Sequence, residues 1–191
     1  MIDKTPVHEI NDQYILVDNV VSTLHALANY QRQKLTIPVI GITGTNGRTT
    51  TKELIYAVLA EKYAVLATKG NLNNHIGVPL TLLSITADVE VAIIEMGANH
   101  VGEIGMLSEL AQPTMGLITN VGKAHLEGFG SFEGVKTAKG ELYTYLSTHQ
   151  GTLFIQADNE HLREMVGNKD FQQIVRYGFS EQCDVSGKLL S

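Results

Sequence analysis

The stretch from Gly41 to Thr50 (GITGTNGRTT) constrains this chain more than any other part of its sequence. It follows an apolar run, residues 37–40, and precedes a segment whose apolar residues recur at helical spacing, namely Leu54, Ile55, Val58 and Leu59. The order of strand, tight turn and helix N-terminus is the setting of a phosphate-binding loop. Glycines spaced three apart let backbone N–H groups converge on an anion, and the hydroxyl that follows can bind Mg²⁺.

Two positions of this stretch depart from the usual phosphate-loop pattern. Ile42 stands where the common spacing has glycine, and Arg48 stands where it has lysine. A glycine- and threonine-rich turn that only caps a helix is therefore an open alternative at this point.

Apolar and amphipathic segments alternate along the chain. We predict core strands at residues 38–42, 63–67, 89–94, 115–119, 152–156 and 172–176. We predict helices between them at residues 49–61, 78–84, 102–111, 133–147 and 158–166, and upstream a short strand at 14–17 and a helix at 21–31. Near-continuous apolar strands that alternate with helices indicate an α/β fold, with a mostly parallel sheet and helices on both faces.

The bulk composition excludes several classes of partner. With a net charge of −6 over 191 residues, the chain has no general attraction to nucleic acid. The single cysteine, Cys183, excludes an internal disulfide framework and fits a reducing compartment. The first ten residues lack an apolar signal core, and no apolar run approaches the roughly 20 residues of a membrane span. We therefore expect a cytoplasmic protein without membrane insertion. We also expect it to be a monomer.

Polar, glycine-rich segments follow the predicted strands at their carboxyl ends. They are residues 43–49, 68–77, 95–100, 120–130 and the pair Asp158 and Asn159. Open α/β sheets bind ligands at this edge. The sequence therefore predicts one functional edge of the sheet.

Two residues on this edge are candidate metal ligands. Glu95 ends a buried strand, and its carboxylate can reach a Mg²⁺ that Thr49 and phosphate oxygens hold, although it could also merely cap the following loop. His125 lies in a glycine-containing loop after the fourth core strand, where a solvated or structural histidine is the alternative. Nucleotide switches usually carry DxxG and NKxD motifs, but no DxxG directly follows Glu95 and no NKxD occurs anywhere in the sequence.

Lys139 falls on the apolar stripe that Val135, Leu142 and Leu146 form in the predicted helix 133–147. A lysine that faces the core is costly unless it is paired, neutralised or modified. Its stem could instead reach along the surface to water. Carbamylation would convert the ammonium into a carboxylate-like metal ligand. Upstream, Asn71, Asn73, Asn74 and His75 form a dense donor set that suits either a turn or a binding loop.

Four runs together resemble the Mur ligase family: GITGTNGRTTTKE, TKGNLNNHIGVPLTLL, EMGANHVGEI and ITNVGKAHLEGFGS. The resemblance is dense over residues 36–160. It implies a UDP-binding N-terminal domain, a central ATP-binding domain with a P-loop NTPase-like fold, and a C-terminal Rossmann-like domain. We expect residues 1–20 to be the tail of the first domain, 21–35 a connecting helix and 36–191 an incomplete central domain, with the C-terminal domain absent.

The resemblance also implies an activity. A ligase of this kind uses ATP to phosphorylate the terminal carboxylate of UDP-N-acetylmuramoyl-tripeptide, and the amine of D-alanyl-D-alanine then attacks the acyl phosphate. The product is a peptidoglycan precursor. We expect the 191-residue chain to bind nucleotide at most, because the domain that helps to bind the dipeptide is absent.

Site residues follow from the resemblance position by position. Those expected around the phosphates of ATP are Gly44, Thr45, Asn46, Gly47, Arg48, Thr49 and Thr50, with Asn159 near the nucleotide. Those expected to hold two Mg²⁺ ions are Thr49 and Glu95 for the first, and His125 and carbamylated Lys139 for the second. Asn71 and Asn74 are expected to face the muramoyl substrate. The catalytic set is thus Arg48, His125 and Lys139.

Arg48 is the important departure from the family, which has lysine at this position. A guanidinium is broader and planar, so we expect it to displace the γ-phosphate and to weaken activity. Two other functions stay open. One is a P-loop nucleotide-binding module that makes no covalent product, and the other is a folylpolyglutamate synthase-like ligase, which should not contain the NLNNHIGVP run.

Overall fold

The computed structural model describes residues 2–3, 15–122 and 126–188. His125 lies outside these ranges. The helices and strands, in chain order, are β1 (Ile2–Asp3), β2 (Leu16–Val17), α1 (Val20–Gln33), β3 (Val39–Thr43), α2 (Arg48–Leu59), β4 (Val65–Ala67), α3 (Gly77–Leu83), β5 (Val91–Glu95), α4 (Glu103–Ala111), β6 (Met115–Ile118), α5 (Leu126–Phe129), α6 (Phe132–Thr148), β7 (Thr152–Gln156), α7 (Glu160–Val166), β8 (Gln173–Gly178) and β9 (Val185–Ser186).

Seven strands form one parallel sheet in the order β4-β5-β3-β6-β7-β8-β9, and β1 and β2 pair separately. The predicted α/β fold with a parallel sheet is confirmed. Ile42 of β3 pairs with Glu95 of β5 on one side and with Leu117 of β6 on the other. The carboxyl ends of these three central strands therefore lie side by side.

Helices cover both faces of the sheet, as predicted. On one face, helices α1, α3, α4, α6 and α7 share a core that includes Leu82, Leu107 and Leu142. On the other face, α2 places Ile55 and Leu59 against side chains of the central strands. Successive strand residues point to opposite faces, so each central strand contributes to both cores.

Helix α1 packs into the same hydrophobic core as helices α3, α4, α6 and α7. Leu24 and Ala28 are buried, and Ala28 joins the larger core. Arg32 is 5% exposed and donates hydrogen bonds to the carbonyl oxygens of Ala111 and Gln112, at 2.8 and 2.7 Å. Arg32 thus satisfies backbone acceptors at the C-terminal end of α4.

The sequence-based boundaries differ from the structure mainly at the ends of elements. Strands β3 and β5 each extend one residue further than predicted, to Thr43 and Glu95. Helix α7 begins at Glu160, two residues later than predicted, because Asn159 caps it. The segment 120–130, predicted as a loop, contains the four-residue helix α5, which is too short for a helical period to reveal it. No helix among the described ranges is long and apolar enough to cross a membrane.

Candidate functional site

The turn between β3 and α2 requires glycine at two positions. Gly44 has a φ of 148° and Gly47 a φ of 76°, backbone conformations that other residues rarely adopt. A Cβ atom at Gly44 would also overlap the hydroxyl of Thr119, which follows β6. The turn therefore lies close against the end of the neighbouring strand.

Asn120 holds this turn from the segment after β6. Its carbonyl oxygen accepts a hydrogen bond from Thr45 N–H, and its Oδ1 accepts one from Asn46 N–H, both at 3.0 Å. Its Nδ2 group donates to the carbonyl oxygen of Asn46 at 3.1 Å. The Thr45 and Asn46 amides are thus engaged within the protein. The amides of the first turn of α2, residues 48–50, have no intrahelical acceptor and are available to an anion.

Glu95 is 1% exposed, and three side chains converge on its carboxylate. The Thr49 hydroxyl donates to Oε2 at 3.1 Å, and Asn73 Nδ2 donates to Oε1 at 2.9 Å. Arg48 Nε lies 3.3 Å from Oε1 and forms an ion pair with it. The backbone N–H of Glu95 donates to the Thr68 hydroxyl at 2.9 Å, which fixes the end of β5.

Arg48 is directed inward, toward β5. Its Nη1 group donates to the carbonyl oxygen of Gly44, while its Nε group contacts Glu95. The Arg48 side chain is 24% exposed. The guanidinium therefore bridges the beginning of the turn and the carboxylate that ends the adjacent strand.

Thr49 and Glu95 are a suitable pair of ligands for Mg²⁺. Both supply hard oxygen atoms, and these atoms lie 3.1 Å apart. In nucleotide sites Mg²⁺ usually binds one or two protein oxygens and completes its shell with phosphate and water. Among the described residues, no group of three or more His, Cys, Asp or Glu side chains converges. The pair therefore fits a metal that arrives with a phosphate better than a metal bound by protein alone.

Lys139 faces the core of the protein, as its position on the apolar stripe predicts. It is 2% exposed, and its Nζ atom lies 5.3 Å from the centroid of the Phe129 ring in α5. Burial, together with the nearby positive charge of Arg48, lowers the pKa of Lys139 to about 8. A substantial neutral fraction therefore exists near pH 8. His125, its predicted partner, lies outside the described residues.

The three asparagines of the segment before α3 make different contacts. Asn73 reaches Glu95, and its carbonyl oxygen accepts a hydrogen bond from Gly97 N–H at 2.7 Å. Asn74 Oδ1 accepts from the N–H groups of residues 76 and 77, at 3.0 and 2.9 Å, and so begins α3. Asn71 is exposed and supplies a carbonyl oxygen to Asn73 N–H at 2.8 Å.

A cleft of about 280 Å³ opens beside Arg48 and Asn73, two of the side chains that contact Glu95. Its lining includes Arg48, Asn73, Asn74, His75, Glu103 and Met106. Of the two predicted substrate residues, Asn74 lines this cleft and Asn71 does not. Asn73 was not predicted to have a role of its own, although the sequence places it in the same polar run.

Asn159 caps helix α7. Its Oδ1 atom accepts a hydrogen bond from Leu162 N–H at 3.2 Å, and the preceding Asp158 accepts one from Phe179 N–H at 2.8 Å. Both side chains follow β7, a strand that β6 separates from β3, and both bind backbone N–H groups. The structure does not bring Asn159 into the group around Glu95, and its predicted contact with nucleotide stays a prediction.

A model of the Mur ligase middle domain matches residues 42–189 of this chain. The chain belongs to this family. The UDP-N-acetylmuramoyl-tripeptide–D-alanyl-D-alanine ligase of Bacillus subtilis is 46% identical to it over 145 residues, which are 76% of this chain and 32% of that protein. The chain spans about a third of the length of the curated relatives it matches.

Solved structures agree with this family assignment. The MurF ligase from Thermotoga maritima in complex with ADP superimposes with a TM-score of 0.82 and 33% identity, over 95% of this chain and 41% of that one. A folylpolyglutamate synthase from Mycobacterium tuberculosis gives a TM-score of 0.62 over 82% of this chain and 46% of that one, at 15% identity. The latter likeness concerns the fold alone.

We predict that Asn120→Ala loosens the phosphate-binding turn. The substitution removes the side-chain acceptor of Asn46 N–H and the donor to Asn46 O. Since such hydrogen bonds stabilise by about 1 kcal/mol each, exchange of the Asn46 amide hydrogen should become roughly tenfold faster. Hydrogen exchange followed by NMR measures this rate, and Asn168→Ala, at an exposed position, is the matched control. An unchanged Asn46 rate would contradict the role given to Asn120.

Proposed function

We propose that this chain is the nucleotide-binding part of a ligase that uses ATP to join D-alanyl-D-alanine to UDP-N-acetylmuramoyl-tripeptide in peptidoglycan precursor synthesis. The observation that supports this most is the meeting of Thr49 and Glu95 beside the open N-terminus of α2. The choice of substrates follows from the relatives, which are named for this activity.

The chemistry of this proposed reaction needs concentrated positive charge. A carboxylate is a poor electrophile, so the γ-phosphoryl group of ATP is transferred to a carboxylate oxygen, and ADP leaves. The amine nitrogen of the dipeptide then attacks the acyl carbon, the acyl–oxygen bond breaks and phosphate leaves. Both steps gather negative charge on phosphoryl oxygens, which cations and N–H groups stabilise.

Each part of the described site has a place in this proposal. The free amides at residues 48–50 would hold phosphate oxygens, and Asn120 keeps the turn in shape for them. With the Arg48 guanidinium moved off Glu95, Thr49 and Glu95 would hold the first Mg²⁺, which supplies charge neutralisation when bound. Asn73 keeps the Glu95 carboxylate oriented toward Thr49. The cleft lined by Asn74 would receive part of the muramoyl substrate.

We propose that Lys139 is carbamylated and holds a second Mg²⁺ together with His125. Burial and the lowered pKa of Lys139 support this, because the neutral amine is the form that attacks CO₂. The nitrogen forms a bond to carbon and loses a proton, so a buried cation becomes an anion. The positive charge of Arg48 is close enough to lower the pKa of Lys139, so it would attract the negative carbamate.

The chain spans about a third of the length of the relatives it matches. We propose that residues 1–20 end a UDP-binding domain, that 21–35 connect it, and that 36–191 belong to the central ATP-binding domain. We propose further that the 191-residue chain is a cytoplasmic monomer that binds nucleotide and does not ligate.

One observation favours a second function, that of a nucleotide-binding module without a covalent product. Arg48 forms an ion pair with Glu95, the proposed metal ligand, and so works against phosphoryl transfer. A folylpolyglutamate synthase-like ligase has less support, because its likeness at 15% identity reaches only the fold.

The ligase activity can be tested in a chimaera. Residues 42–189 of this chain, with Arg48→Lys, replace the matching segment of the Bacillus subtilis relative. We expect UDP-pentapeptide, detected by mass spectrometry, only when ATP, UDP-N-acetylmuramoyl-tripeptide and D-alanyl-D-alanine are all present. Adding Glu95→Gln should lower the rate by roughly 10²-fold or more, since a metal contributes several kcal/mol of charge stabilisation. Phosphate release that needs no muramoyl-peptide would instead favour the nucleotide-binding module.

The carbamate can be tested directly with ¹³C-bicarbonate and NMR on the 191-residue chain. We expect a carbamate signal that grows as the pH rises from 7 to 8, because the neutral fraction of Lys139, whose pKa is about 8, increases over this range. Lys139→Met should abolish the signal. Lys136→Met is the matched control on the same helix, since Glu164 binds its ammonium at 2.9 Å and raises its pKa. A signal that persists in Lys139→Met would contradict the assignment.

A further inference from the structure

The buried carboxylate of Glu95 receives its positive charge from the protein itself. Within the described part of the chain, its one ion pair is with Arg48, at 3.3 Å. Glu95 is 1% exposed and the Arg48 side chain 24% exposed, so water screens this pair only partly. A buried carboxylate without a counter-charge is strongly destabilising, which makes Arg48 a substantial part of the local charge balance.

Arg48 contacts the same carboxylate that the proposed metal would use. Its Nε group shares Oε1 with Asn73, while Thr49 binds Oε2. Both carboxylate oxygens therefore already have donors, and a divalent cation entering beside Arg48 would meet a like charge at short range. A metal at Glu95 would therefore compete with the guanidinium for this carboxylate.

The shape of the guanidinium explains why arginine can hold this position. Its fixed fork of donors contacts Glu95 through Nε and the Gly44 carbonyl oxygen through Nη1 at the same time. One acceptor lies in the turn after β3 and the other ends β5, so Arg48 joins the beginning of the turn to the end of β5. A lysine ammonium is a compact point charge on a flexible stem. It cannot hold both acceptors through a fixed fork of donors, so it gives up fewer hydrogen bonds when it turns toward a bound phosphate.

We propose that Arg48 acts as a tethered cation that excludes divalent metal from Glu95, so that this chain binds nucleoside triphosphate with little dependence on Mg²⁺. This rests on the proposed function, because it concerns the nucleotide and metal of that site. Positive charge beside the phosphates is then supplied by the protein, at a position where the usual phosphate loop has lysine and admits a metal.

The test compares nucleotide binding with and without metal. Isothermal titration calorimetry measures the Kd of the non-hydrolysable ATP analogue AMP-PNP for the 191-residue chain, once in EDTA and once in excess Mg²⁺. For the parent chain we expect the two values to agree within about threefold. For Arg48→Lys we expect Mg²⁺ to lower the Kd by tenfold or more. Electron paramagnetic resonance of Mn²⁺ in the AMP-PNP complex should likewise show tighter binding of the ion to Arg48→Lys.

Two further variants assign the effect to Glu95. In the double variant Arg48→Lys, Glu95→Gln, Mg²⁺ should no longer lower the Kd of AMP-PNP, because the carboxylate that binds the metal is gone. Lys62→Met removes one exposed positive charge away from the site and should keep the weak Mg²⁺ dependence of the parent. Circular dichroism and thermal midpoints establish that each variant is folded before binding is measured.

The outcomes separate this proposal from the one on which it rests. Equal Mg²⁺ dependence in the parent and in Arg48→Lys, with nucleotide bound by both, would overturn the exclusion by Arg48 and leave the proposed function intact. If Mg²⁺ still lowers the Kd in Arg48→Lys with Glu95→Gln, the exclusion of metal from Glu95 by Arg48 is overturned as well. Absence of AMP-PNP binding by every folded variant would instead contradict the proposed function.

Discussion

The buried carboxylate of Glu95 is the interaction on which the site depends. It ends β5 next to the turn that follows β3, and water does not reach it. Its hydrogen-bond and charge partners come from separate parts of the chain: Arg48 and Thr49 from α2, and Asn73 from the segment before α3. Because an unsatisfied buried carboxylate is costly, these elements are fixed relative to one another by the need to surround it.

Much of the fold and part of the site could be predicted from the sequence. Apolar strands alternating with amphipathic helices indicate a parallel sheet, and the parallel sheet brings the strand ends together. For this reason the approach of Thr49 to Glu95 and the burial of Lys139 on its helix were accessible from local patterns. The family was accessible as well, because several motifs occur in the same order along the chain.

Other features of the site depend on contacts between residues far apart in sequence. Asn120 holds Asn46 across 74 positions, and no local periodicity encodes such a pair. The Arg48 side chain points inward because this conformation pairs its guanidinium with the buried carboxylate of Glu95. Likewise, the asparagine that reaches Glu95 is Asn73, because Asn74 is engaged in starting α3. The roles of His125 and of Asn71 stay predictions.

The most direct test of the site is a crystal structure of the 191-residue chain with AMP-PNP and Mg²⁺. The arrangement described above predicts triphosphate oxygens against the N–H groups of residues 48–50, with the hydrogen bonds between Asn120 and Asn46 retained. It also predicts the Arg48 guanidinium still on Glu95, and a metal within about 2.0–2.1 Å of Glu95 only after Arg48→Lys. Phosphates bound elsewhere on the sheet would contradict the central claim that this turn is the nucleotide site.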